Sequence, residues 1–80
     1  EVGRLELFEK ARFGGDSVAL EWPSESLGRM AARAESLRLS GTWEICDREN
    51  FRGRCVTISR NVENLDDMGW KDRIRSARPR

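Results

Sequence analysis

Eighty residues allow one small domain, of a size at which folding buries only about 60% of the surface an unfolded chain exposes. Hydrophobic side chains make up 38% of the chain, a globular balance that argues against disorder, and no apolar run is long enough to span a bilayer. Fifteen basic and fourteen acidic residues leave a net charge of +1, so nothing pulls the chain strongly towards nucleic acid or an acidic membrane.

The chain begins at Glu1 rather than methionine, which suggests a removed leader or a domain taken from something longer. Leu5 and Leu7 alternate with Arg4 and Glu6, the period of a half-buried strand. Val18 and Leu20 alternate in the same way with Ser17 and Ala19. Ser24 to Ala34 breaks the pattern, with a possible cap at Ser24 and with Leu27, Met30 and Ala31 at helical spacing. Leu37 and Leu39 then flank Arg38 before a Ser40-Gly41 turn. Trp43 and Ile45, and later Val56 and Ile58, repeat the alternation, whereas Val62, Leu65 and Met68 recur every three residues. Ile74 belongs to the last apolar segment. The expected core is Leu5, Leu7, Val18, Leu20, Leu37, Leu39, Ile45, Val56, Ile58 and Ile74, with Trp43 also inside. Short strands separated by turn signals point to an all-β sandwich or small barrel.

Self-comparison at an offset of 38 organises these elements. Leu5-Glu6-Leu7-Phe8 overlies Trp43-Glu44-Ile45-Cys46, and Phe13, Gly15, Val18 and Leu20 overlie Phe51, Gly53, Val56 and Ile58. The offset grows to 40 near the end, where Ser36 matches Ser76. Two copies of one unit therefore fill a single domain over residues 1–80, the first at about 3–40 and the second at about 41–79. The two non-alternating segments are equivalent under the repeat. Both read as the long connection of a Greek key carrying a helical turn at most. An independent helix in the first is the competing reading.

The two corners carry a resemblance. Phe8-Glu9-Lys10-Ala11-Arg12-Phe13-Gly14-Gly15 and Cys46-Asp47-Arg48-Glu49-Asn50-Phe51-Arg52-Gly53 resemble the folded-hairpin signature of βγ-crystallins: aromatic, four residues, aromatic, one residue, glycine. Gly41-Thr42-Trp43 is similar to that family's lead-in to its second motif, and Gly69 to Pro79 to its closing segment. The resemblance implies two Greek-key motifs forming a two-sheet sandwich. In it the glycines supply a backbone angle other residues adopt only with strain, and Ser36 and Ser76 hydrogen-bond over the hairpins.

Many microbial members bind calcium through a segment reading Asn/Asp, Asn/Asp, two variable residues, Ser/Thr, Ser. The matching segments here, Ala31 to Ser36 and Lys71 to Ser76, depart from it. Two alanines stand where paired oxygen ligands belong and Glu35 takes the hydroxyl place. In the second, Asp72 survives between Lys71 and Arg75, whose charges repel a divalent ion. Calcium wants six to eight oxygens, so binding is expected to be weak or absent, and no other cofactor is required. If a site persists, the resemblance places it at Asp72, the Arg73 carbonyl and the Glu9 hairpin, with Glu35, Arg33 and Asp47 a lesser second set.

Cys46 replaces the first aromatic of the second hairpin, and Cys55 matches Ser17 on what should be the adjoining strand. A disulfide between them is the favoured reading and implies a secreted or periplasmic home; two buried thiols in a cytosolic protein are the alternative. Two cysteines without histidine cannot make a zinc centre. The lack of histidine also removes the commonest general base and the serine triad. No phosphate-binding glycine loop follows a strand, and an enzyme is not expected. The expectation is a monomeric structural or interaction module with an unidentified protein partner and degenerate calcium sites. The first alternative is a weak calcium binder stabilised by the ion; the second is a small secreted inhibitor or toxin-like protein. Nucleic-acid binding through Arg73, Arg75, Arg78 and Arg80 is disfavoured, since Trp70 is the sole nearby stacking partner. Trp22, beside Pro23, is the least constrained of the three tryptophans.

Overall fold

The computed structural model describes residues 3–80 and is all-β. Strands β1 (Arg4–Lys10), β2 (Gly14–Leu20) and β3 (Ser36–Ser40) form one antiparallel sheet in the order β2-β1-β3. Strands β4 (Trp43–Arg48), β5 (Arg52–Ile58) and β6 (Ser76–Pro79) form the second in the order β5-β4-β6. The registers repeat as the sequence does. Leu7 faces Val18 and Leu37 in the first sheet, while Ile45 faces Val56 and Ala77 in the second.

The two sheets are stitched by exchange. Ser24, in the first connection, pairs with Ala77 of β6 through reciprocal bonds of 2.8 and 3.1 Å. Val62, in the second connection, pairs with Leu37 of β3 through two bonds of 2.9 Å. Each Greek-key connection thus crosses to the other motif's sheet, which ties the fold of one motif to the presence of the other.

The connections carry short 3₁₀ turns, Gly28–Met30 and Leu65–Met68. No longer helix forms between Ser24 and Ala34, because Gly28 sits at φ +61° and Ala32 at φ +60°, outside the right-handed helical region. These segments bury Leu27, Met30, Ala34, Leu65 and Trp70 between the sheets, beside Leu5, Leu7, Leu37, Trp43, Ile45, Ile58, Ile74 and Ala77. Val18, Leu20, Leu39 and Val56, expected in the core, are partly exposed and pack against its rim. Their strands explain it: β2 and β5, which carry Val18, Leu20 and Val56, and β3, which carries Leu39, all stand at the ends of their sheets, and an edge strand is covered on one side only. Ile74 is fully buried but precedes β6 rather than belonging to it.

Candidate functional site

The end of the sandwich where both hairpins and both connections meet holds every residue singled out for ion binding. Each hairpin folds back through consecutive left-handed residues, Arg12 and Phe13 at φ +58° and +62°, Asn50 and Phe51 both at +60°. Outside glycine and Asn/Asp this conformation costs roughly 1–2 kcal/mol per residue, so something must hold it. Ser36 holds the first: its Oγ accepts from the Phe13 N–H at 3.0 Å and donates to the Lys10 carbonyl at 2.6 Å. Ser76 holds the second with the same two bonds, to Phe51 and Arg48, at 3.0 and 2.6 Å. Both serines are fully buried.

Glycine closes each corner. At Gly53 (φ +76°) an added Cβ would strike Asp47 Oδ1, and that oxygen accepts the Arg54 N–H at 2.9 Å. Gly15 has the matching φ of +74°. Phe13 then lies edge-on to Phe8, with ring centroids 5.7 Å apart. In the second hairpin the Cys46–Cys55 disulfide takes the place of Phe8, joining residues directly opposite one another on β4 and β5. Over the outer faces the Arg38 guanidinium stands 5.5 Å from the Phe13 ring centre and that of Arg78 4.8 Å from Phe51.

The candidate ligand segments dock on their own motifs and on each other. Glu35 N–H donates to the Phe8 carbonyl and Arg75 N–H to that of Cys46, both at 2.8 Å. Between the segments, Ala32 N–H donates to Ile74 O at 2.9 Å and Asp72 N–H to Ala34 O at 3.0 Å. Each hairpin tip is also held by the opposite motif: Arg12 N–H donates to Glu63 O and Asn50 N–H to Glu25 O. Ala32 and Asp72 are equivalent and share the left-handed conformation, φ +60° and +58°.

The side chains do not converge as the backbone does. Glu9 meets Arg33 of its own motif, Oε2 to a guanidinium nitrogen at 3.7 Å. Asp47 is engaged by the Arg54 amide. Lys71, Asp72, Arg73 and Arg75 are all exposed, and Glu35 is half-buried. Among the described residues no three carboxylate, cysteine or histidine side chains gather as a metal would need. A cavity of about 650 Å³ is open to solvent beside Thr57 to Asn64, with Asp67 and Met68 at its rim. It offers no nucleophile paired with a base.

Two features escaped the sequence analysis. Asn61 Oδ1 accepts the Leu39 N–H at 2.8 Å, whereas the equivalent positions of the other half are Pro23 and Pro79, with neither acceptor nor donor; this mismatch in the repeat was the available signal. The second is the commitment of Arg78 to Glu44, Nε to Oε1 at 2.7 Å, with Arg80 3.8 Å from the same oxygen. Two of the four C-terminal arginines considered for nucleic acid are thus internally paired.

Comparison with known proteins agrees with this geometry. The family model described as Beta/Gamma crystallin matches residues 4–79. No curated protein sequence matches the chain. Among solved structures, a βγ-crystallin from an archaeon superposes with a TM-score of 0.92 at 21% identity, covering 100% of both chains. A βγ-crystallin from Ciona intestinalis gives 0.89 at 27% identity, over 96% of this chain and 99% of that one. A βγ-crystallin domain from Flavobacterium johnsoniae gives 0.79 at 22%, over 92% and 90%. The chain belongs to the βγ-crystallin family.

Proposed function

We infer that this is a non-enzymatic structural and interaction module of the βγ-crystallin kind in which both calcium sites are degenerate. The observation that carries this reading is the Glu9–Arg33 pair. A positive charge belonging to the chain already faces the hairpin carboxylate that a divalent ion would require. In the second segment Lys71 and Arg75 flank Asp72, the one acidic residue left in the position of a ligand. Calcium needs several converging oxygens without neighbouring cations, and neither segment supplies them. The disulfide supports an oxidising, extracytoplasmic setting.

Calorimetric titration of the oxidised chain with calcium is expected to show no saturable heat at millimolar ion. Binding that saturates and disappears in Asp72→Ala would overturn the reading. A variant carrying Lys71→Asn and Arg75→Thr supplies the missing donors, and is expected to gain binding. A specific observation favours the second reading, a weak calcium binder: Ala32 and Asp72 keep the left-handed backbone that suits an asparagine or aspartate ligand. In that case the unmodified chain binds already.

A further inference from the structure

The repeat makes β2 and β5 equivalent in position, and each is the open edge of its sheet. Their charges are opposite. From Gly14 to Glu21 the chain carries Asp16 and Glu21 and no basic residue; from Arg52 to Arg60 it carries Arg52, Arg54 and Arg60 and no acidic one. Asp16 and Arg54 occupy the same place in the two copies, so the sign reverses at equivalent sites. All five side chains are exposed, and none takes part in an ion pair among the described residues.

An open edge presents unpaired N–H and C=O groups to any strand that fits. We propose that the β5 edge of one copy of this chain pairs with the β2 edge of another, head to tail, so that concentrated protein assembles into chains. The charge pattern selects this mode. Pairing β5 with β5 sets arginine against arginine, and pairing β2 with β2 sets acid against acid; only the heterologous contact is complementary. Each molecule then keeps one acidic and one basic edge free, which is the condition for an open assembly rather than a closed dimer.

Register follows from the core-facing side chains. An antiparallel pair with Val18 opposite Ile58 and Leu20 opposite Val56 keeps the inward residues of both strands on one side, as sheet pleating demands. In that register the shared ladder runs over Val18–Leu20 and Val56–Ile58; continued past the ends of β5 and β2, it brings Asp16 towards Arg60 and the exposed Trp22 towards Arg54, where a guanidinium can stack on its ring. Glu21 adds a second negative charge at that end. Such a contact is small and stays monomeric when dilute. The inference is independent of the calcium reading, and its test is run in chelator.

Sedimentation velocity of the oxidised chain over a concentration series tests it. Association is expected at about 0.01 M salt, where charges act over about 30 Å, and should weaken at least tenfold at about 1 M, where they act over about 3 Å. Asp16→Arg with Glu21→Arg makes both edges basic; Arg54→Glu with Arg60→Glu makes both acidic. Each variant alone should stay monomeric at concentrations where the parent associates, and an equimolar mixture should associate again. Arg29→Glu, an exposed charge reversal away from both edges, should associate as the parent does. A parent chain that is monomeric throughout the series at low salt overturns the proposal. So does association that survives in either variant alone, or a mixture that remains monomeric.

Discussion

Ser36 and Ser76, themselves buried, each join an amide to a carbonyl across the base of a left-handed turn through part-buried bonds. Removing either hydroxyl leaves two part-buried backbone groups without these partners, at about 1–3 kcal/mol per group. Ser36→Ala and Ser76→Ala are each expected to lower unfolding free energy in urea by about 2–4 kcal/mol. A loss below half a kilocalorie would mean that the aromatic pair, not the hydroxyl, holds the corner. Ala32 behaves differently. Its backbone is left-handed with no side chain suited to that state, so Ala32→Asn is expected to raise stability by up to about 1 kcal/mol in chelator. The serines were legible from the repeat and the resemblance together. Ala32 was not, because a methyl group in a sequence carries no mark of the conformation its neighbours impose.

At the scale of elements, the two hairpins solve one problem in two ways. The first buries Phe8 under Phe13; the second replaces the inner ring by a disulfide under Phe51. Closing so short a loop contributes about 2.7 kcal/mol in the chain-entropy model, a large fraction of what an 80-residue domain has to spare. Reduction, or the double change Cys46→Ser and Cys55→Ser, is expected to lower the unfolding free energy by about that amount, and the urea midpoint with it. An unchanged midpoint would show that Phe51 and Ser76 suffice. The strands were readable because Leu5, Leu7, Trp43 and Ile45 alternate with charged neighbours. The connections were readable as Greek-key crossovers carrying a helical turn at most, with an independent helix competing in the first. Apolar residues three or four apart fit a helix as well as a loop draped over a core, and Gly28 and Ala32 decide between them through φ. The partial exposure of Val18, Leu20, Leu39 and Val56 depends on which strands lie at the edges, and that belongs to topology rather than to any local pattern.

For the whole molecule, the exchanged pairings Ser24–Ala77 and Leu37–Val62 join the two motifs into one folding problem. Neither sheet is complete without the other copy's connection. This cross-stitching brings the segments Ala31 to Ser36 and Lys71 to Ser76 side by side. The contacts that hold this end of the scaffold are backbone bonds and the hydroxyls of two buried serines. Which side chains approach one another was beyond the sequence: the resemblance grouped Glu9 with Asp72, whereas the fold sets Glu9 against Arg33. The most direct measurement is the thermal unfolding midpoint of the oxidised chain in millimolar calcium and again in chelator. Any ligand bound only by the native state must raise that midpoint by mass action. The expected result is the same midpoint in both; a rise of several degrees with calcium, abolished by Asp72→Ala, would contradict a module that has dispensed with the ion.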